Sequence, residues 1–273
     1  MMEVKVSGNR FSMRDRSRSL YASDRAALFQ VAIAGEYDHL LQRVSPGETV
    51  IDCGANIGVF SVIAAKAVGP SGRVFAIEPE PDNLRQLRLN IQLNALDNVT
   101  VLPYAVDAYN LSDVGFSGDG VFGHLDKTGS TRVNTATLSS IVKNSNIGNI
   151  AALKVDIEGG EVHALSPAAI AGVLEIVREV AVEVHSWDAY YFVRERLIAG
   201  GFSVSRLSDE RAFVLKIVSG VAEHPILTAR MYRLEGLGVC RRLLKPRRGD
   251  SQAEQNGGLA SLMYATRTQP VRD

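Results

Sequence analysis

The chain has 273 residues, long enough for one sizeable α/β domain with additions. Its 30 basic and 30 acidic residues cancel, so the overall balance gives no reason to expect nucleic acid or an anionic membrane as the main partner. Two cysteines, Cys53 and Cys240, exclude a disulfide framework and a cysteine-rich metal site.

Residues 1–20 are polar and basic, with Arg14, Arg16 and Arg18 among polar or acidic neighbours, and read as a solvated, partly mobile leader. They lack the apolar stretch of a secretory signal, and no later segment runs long enough without charge to span a bilayer, so a soluble cytoplasmic protein is expected. From Ser23 an amphipathic helix is expected, with Ala27, Phe29, Val31, Ile33, Leu40 and Leu41 as its apolar surface and Gly35 as a point of division. Residues 1–45 thus form a leader and helical cap, residues 46–220 the main domain and residues 221–273 a C-terminal extension.

An apolar strand over residues 49–51 ends on Asp52 and is followed by Gly54, Ala55, Asn56 and Gly58, then by a helical run over 59–68. Glycines admit a close approach to the backbone, and the next helix turns its unpaired N–H groups toward a ligand. Asp52 can orient this loop through backbone N–H groups or meet a ligand ammonium. The second strand, residues 73–77, leads into Glu78, twenty residues past Gly58. An acid there accepts both hydroxyls of a ribose and repels a 2′-phosphate. The order strand, turn, helix, strand, acid marks a nucleotide site more specifically than a Gly-rich turn alone.

A helix from about Asp82 carries Leu84, Leu87 and Ile91 on one face, and residues 99–102 form a third strand, the alternation of a parallel sheet wound with helices. Tyr104, Ala105 and Val106 follow it. Residues 105–149 are too long for a structureless loop and should hold short strands, at 114–116 and 132–136, with one helix around 138–142. Strands at 151–156 and 180–184 and helices from Glu161 and over 188–199 complete the regular part. Residues 202–207 and 212–218 suit a hairpin, making the last strand antiparallel. Beyond it lie a short helix at 227–234, a basic run of Arg241, Arg242, Lys245, Arg247 and Arg248, and a Gln/Ser/Gly-rich end expected to be disordered.

The second dense motif is Leu153-Lys154-Val155-Asp156-Ile157-Glu158-Gly159-Gly160-Glu161. Central parallel strands are apolar on both faces, so Lys154, Asp156 and Glu158 at a strand's carboxyl end suggest a ligand site, whereas a Lys154 and Asp156 pair that neutralises itself is the structural alternative. Together with the loop 50–58, this string resembles the FkbM family of S-adenosylmethionine-dependent methyltransferases. The resemblance covers residues 36–202 and includes Gly35-Glu36-Tyr37, Glu78-Pro79, Asn90 to Asn94 and Glu183-Val184-His185. Ser139, where an acid often follows Thr-Leu, and Gly160, where alanine is more usual, depart from the pattern.

The resemblance implies a Rossmann-like class I methyltransferase: a mostly parallel seven-stranded sheet, an antiparallel last strand and helices on both faces. It implies S-adenosylmethionine as cofactor, with Gly54, Asn56 and Gly58 at its methionine end, Glu78 on its ribose and the adenine beside Tyr104, Ala105 and Val106. Asp52, Ala55 and Asp156 join the candidate cofactor contacts. The acceptor it implies is a hydroxyl of a sugar, lipid or polyketide-type metabolite; N-methylation of a small molecule or nucleic acid, or a nucleotide-binding module without catalysis, is the alternative, and no oligomeric state is assigned. Asp156, Glu158, Glu161 and His185 leave neighbouring strand ends and are the candidate catalytic residues; His185 is the one whose ordinary pKa lies near neutrality. A shared Mg²⁺ is possible there, but carboxylates in a polar loop are common without one and no metal is assigned. The turn Asp156-Ile157-Glu158-Gly159 also lacks the Pro-Pro-aromatic sequence of base N-methyltransferases.

Overall fold

The computed structural model describes residues 2–6, 9–13, 24–33, 35–118, 123–206 and 261–268. Its first elements, β1 (Met2–Val6) and β2 (Asn9–Met13), pair antiparallel. These residues were expected to be a mobile leader, yet they form a docked hairpin. The Ser12 N–H donates to Asn94 Oδ1 (2.9 Å), Asn94 Nδ2 donates back to the Ser12 carbonyl (2.7 Å), and Met13 is wholly buried. Apolar residues at Met2, Val4 and Val6 alternate with polar ones, a strand period that the basic run after them obscures. The helical cap follows as α1 (Asp24–Leu28), a π-helical turn over Phe29–Ile33 and, beyond Gly35, α2 (Asp38–Leu41).

The central elements alternate as expected: β3 (Thr49–Cys53), α3 (Val59–Val68), β4 (Arg73–Ile77), α4 (Pro81–Leu93) and β5 (Val99–Leu102). Glu80 caps α4, accepting from the N–H groups of Asp82 (3.0 Å) and Asn83 (2.6 Å), with Pro81 at the first helical position. Next come β6 (Tyr104–Val106), β7 (Val114–Ser117), β8 (His124–Leu125) and β9 (Thr131–Ala136), a small sheet of order β6-β9-β7-β8, and then α5 (Leu138–Asn144). The chain returns to the main sheet through β10 (Ile150–Val155), α6 (Glu161–Ala164), β11 (Val177–Val184), α7 (Trp187–Ala199), β12 (Phe202–Arg206) and β13 (Ser261–Arg267).

The main sheet has seven strands in the order β12-β13-β11-β10-β3-β4-β5. Its core strands β11, β10, β3, β4 and β5 are mutually parallel. Alternate residues divide it into two faces. Val50, Ala152, Ala181 and Tyr264 pack against Tyr37, Leu40, Phe60 and Ala64, while Ile51, Leu153, Val180 and Met263 pack against Leu138, Ile141, Val193 and Leu197. Helices therefore cover both faces, as a sheet apolar on both sides requires.

The reversed strand is β13, which pairs antiparallel with β11 on one side and β12 on the other. The hairpin partner expected at 212–218 lies outside the described residues, as do the helix at 227–234 and the basic run. Residues 261–267 are thus part of the main sheet and not of a disordered extension: Met263 is wholly buried and Tyr264 and Ala265 nearly so. Gln, Ser and Gly at 251–258 dominate the local composition and hide this short apolar run. Among the described residues no helix is long and apolar enough to cross a membrane.

Candidate active site

The carboxyl ends of β3, β10 and β11 lie side by side, and each delivers a polar residue: Asp52 within β3, Asp156 just after β10 and His185 just after β11. Gly54 follows β3 with φ +76, and a Cβ on it would overlap the Asp156 carbonyl oxygen. Gly58 (φ +88) would meet Leu87 of α4 in the same way. These glycines were expected to clear space for a ligand; here their missing Cβ atoms let the loop lie against the chain after β10 and against α4.

Glu78 is nearly buried and takes N–H groups from Asn56 (2.8 Å) and Glu80 (3.0 Å) and the Asn83 amide (3.3 Å). Burial pushes its carboxyl up to about 7, against the pull of those donors. The acid after β4 thus ties the loop at Asn56 (φ +51) to the start of α4. Ala55 donates its N–H to the Ile77 carbonyl at 3.0 Å. Ala105 does not join the cluster of polar side chains, because its methyl is buried with Phe116 and Val133 inside the small sheet.

Lys154 is buried, with Nζ 3.1 Å from Asp52 Oδ1, 3.5 Å from Asp156 Oδ2 and 3.1 Å from the Gly54 carbonyl. Its ammonium also lies over the rings of Tyr37 (5.2 Å) and Phe60 (5.9 Å). Burial works to lower its pKa, but the two carboxylates prevail and hold it above the usual range. Asp52, wholly buried, accepts from Ser61 Oγ (2.6 Å) and pairs with Lys154. Its bonds go to two side chains and not to the loop N–H groups it was expected to orient, so it acts on the site through Lys154.

After β10 the chain turns sharply, with Glu158 (φ +53) and Gly159 (φ +99) in left-handed conformations. Glu158 pays conformational strain to face inward, a feature concentrated at functional sites. The turn carries Glu158 and Glu161 to opposite edges of the His185 ring: Nε2 is 3.2 Å from Glu158 Oε2 and Nδ1 is 2.8 Å from Glu161 Oε1. Burial opposes the imidazolium, but hydrogen bonds to Glu158 and Glu161 outweigh it and raise His185 to about 11. A ring held between two carboxylates in this way favours the imidazolium, a bias that its ordinary pKa does not suggest.

Asp156, Glu158, Glu161 and His185 are therefore brought together as expected. Two members of the group were missed. Tyr37, nearly buried before α2, donates its hydroxyl hydrogen to Asp156 Oδ2 at 3.1 Å. Glu183 faces Asp156, His185 and Glu158 from β11, and burial with the Asp156 charge raises its carboxyl well above the usual range. Both stand in strings that drew attention only as resemblance, Gly35-Glu36-Tyr37 and Glu183-Val184-His185, and neither spacing predicts where the side chain will point. Cys53 is no nucleophile, since burial pushes its thiol up. The more exposed His163 pairs with Asp107 at 3.3 Å.

A mixed sheet of this order, with one reversed strand and a polar cluster at the carboxyl ends of its central strands, is the architecture of a class I S-adenosylmethionine-dependent methyltransferase. The chain belongs to the Methyltransferase FkbM domain family, whose model matches residues 52–204, and so carries an enzyme domain. It is 26% identical over 151 residues to the hexuronic acid methyltransferase AglP of Haloferax volcanii, covering 54% of this chain and 60% of that protein. A 56-residue stretch is 38% identical to an arsenite methyltransferase of Halobacterium salinarum, covering 20% of this chain and 14% of that protein. The matches thus span less than two thirds of either relative. Among solved structures the chain is similar to Aeropyrum pernix fibrillarin with bound S-adenosyl-L-methionine, at 11% identity and a TM-score of 0.47, covering 97% of this chain and 82% of that one.

The donor set fits S-adenosylmethionine. The site holds three carboxylates, Asp156, Glu158 and Glu161, around one imidazole, His185, and Lys154 is already paired with Asp52. Such a field suits a sulfonium and an ammonium and repels the diphosphate of a dinucleotide. Glu78, with acceptor capacity beyond its three donors, fits ribose hydroxyls.

Proposed function

We propose that the protein methylates a hydroxyl oxygen on a sugar or other small-molecule acceptor, with S-adenosylmethionine as methyl donor. The observation that carries this reading is the convergence of Asp156, Glu158 and His185 beside the loop that follows β3. Residues 54–58 and Glu78 would hold the cofactor, which supplies an electrophilic methyl on a positively charged sulfur. The chain's own residues position the acceptor. Asp156, held by Tyr37 and Lys154, accepts a hydrogen bond from the acceptor hydroxyl. Glu158, the more exposed carboxylate, takes the hydroxyl proton as the oxygen forms its new bond to carbon and the sulfur–carbon bond breaks. His185 keeps Glu158 turned inward.

Two observations support a sugar acceptor. Trp187, Tyr190 and Tyr191, immediately after His185, form an aromatic group with Trp187 centred 5.7 Å and 6.1 Å from the two tyrosines, and Tyr191 is exposed. Aromatic faces of this kind receive the apolar faces of sugar rings. The AglP relative is named for a hexuronic acid substrate. The test is calorimetry with S-adenosylhomocysteine and NAD, followed by transfer of a radiolabelled methyl group to a panel of glycosides and their amino analogues. The reading predicts S-adenosylhomocysteine binding without NAD binding, and label on hydroxyl-bearing acceptors. Tighter NAD binding, or label confined to the amines, would overturn it.

A further inference from the structure

Asp156, Glu158 and His185 each offer one donor atom, and these atoms lie within 4.8 Å of one another. All three side chains are partly exposed, so the cluster is open on one side. Behind it His185 is anchored. Its Nδ1 meets Oε1 of the wholly buried Glu161, and that same oxygen accepts the Gly159 N–H at 2.8 Å. This fixes the ring and leaves Nε2 directed into the cluster. An imidazole held through one nitrogen by a buried carboxylate, with its other nitrogen facing further carboxylates, is the arrangement of a metal-bound histidine.

A further observation points to a cation. Glu161 Oε2 is buried without a hydrogen-bond partner, so the carboxylate behind His185 has acceptor capacity that its neighbours leave unused. Among the described residues the basic groups at this corner are His185 and Lys154, and Lys154 has its shortest ion pair with Asp52. Nε2 and Glu158 Oε2, 3.2 Å apart, face each other across the place that a metal ion would take.

We propose that Asp156, Glu158 and His185 bind one divalent cation of the Mn²⁺ class, with Glu161 as the positioning residue for His185. One imidazole nitrogen and two carboxylate oxygens, without a thiolate, suit Mn²⁺ better than softer metals, and Mg²⁺ would compete for the same oxygens. The site's role rests on the methyl-transfer reading. An ion held there would polarise the acceptor hydroxyl. Glu158 would take the hydroxyl proton as the oxygen bonds to the methyl carbon, and the electrons of the broken sulfur–carbon bond would return to sulfur.

The test is a titration of the cofactor-free full chain with MnCl₂, following the loss of the free-ion signal by electron paramagnetic resonance. The expected result is one Mn²⁺ bound per chain, displaced by excess Mg²⁺. Asp156→Asn with Glu158→Gln should abolish binding, and Glu161→Gln should weaken it about 10–100-fold, the range for removing such a supporting carboxylate. Thermal melts of the same preparations show that the variants keep their fold, and calorimetry of the wild-type chain with S-adenosylhomocysteine in EDTA tests the cofactor reading separately. A free-ion signal unchanged by wild-type protein overturns the metal site, as does binding that survives in the folded double variant. Wild-type titration alone suffices if that variant fails to fold.

Discussion

The Tyr37 hydroxyl stands 3.1 Å from Asp156 Oδ2, so a residue of the cap before β3 holds the first acid after β10. Burial, and then the Asp156 charge, raise the phenol well above its usual range, which keeps it a donor at every accessible pH. Tyr37→Phe should cost about 1 kcal/mol of stability, the usual net value of such a bond. Turnover should fall while S-adenosylhomocysteine affinity changes little, because Asp156 would retain Lys154 but lose its fixed orientation. Thermal melts with steady-state kinetics check this, and wild-type turnover in the variant would remove Tyr37 from the site.

Cofactor affinity should depend on pH through Glu78. Ribose hydroxyls need an ionised carboxylate as acceptor, and burial places this one at about 7, so below that pH a proton must leave before binding. Affinity should therefore rise with pH and level off above 7, gaining about tenfold between pH 6 and pH 8. Glu78→Gln should weaken binding and flatten this component. Calorimetric titrations with S-adenosylhomocysteine across that range decide it; a profile identical in the variant would rule out Glu78 as the titrating group.

Gly54 and Gly159 offer a paired test of why the loops contain glycine. Both have positive φ, but a Cβ on Gly54 collides with backbone, whereas one on Gly159 meets nothing within 4 Å. Gly159→Ala should cost about 1 kcal/mol from backbone strain alone. Gly54→Ala should cost more, about 2–4 kcal/mol, because the loop must move off Asp156. Urea denaturation of the two variants measures the difference, and equal losses would show that the close approach has no energetic weight.

Ending the chain at Gly249 would remove β13, leaving β11 and β12 without the strand that joins them. Arg267 would also be lost from the Val177 carbonyl (2.8 Å), and Tyr264 from the Glu36 carbonyl beside Tyr37. The shortened chain should melt at lower temperature, with a broader transition, and should aggregate through its open strand edges. A melt superimposable on that of the full chain would refute the placement of β13.

What the sequence disclosed follows from the range of the signals. The loop from Asp52 to Gly58, Glu78 and the string from Lys154 to Glu161 are local patterns tied to strand ends, and each lies where its spacing predicted. His185 lies where the strand pattern put it, but the upward shift of its imidazole depends on Glu158 and Glu161, which only the turn at Glu158 brings to its two sides. Asp52 and Lys154 illustrate the same limit. Their pairing crosses adjacent strands, and nearest-neighbour pattern favoured Asp156 as the lysine's partner. Strand β13 escaped notice because seven residues inside a polar, glycine-containing stretch offer too short a window for periodicity to stand out.

The position of β13 also sets an order of assembly. Strands β11 and β12 are consecutive in sequence but do not pair with each other; the strand between them comes from beyond residue 260. During synthesis the five parallel strands and their helices can therefore assemble on emergence, while β12, among the described residues, finds its sheet partner only in residues 261–267. Insertion of that strand also delivers Tyr264 to the carbonyl of Glu36, next to the tyrosine that holds Asp156. The polar cluster would thus acquire its final support only when the sheet closes, so that a nascent or C-terminally clipped chain could be largely folded and yet inactive.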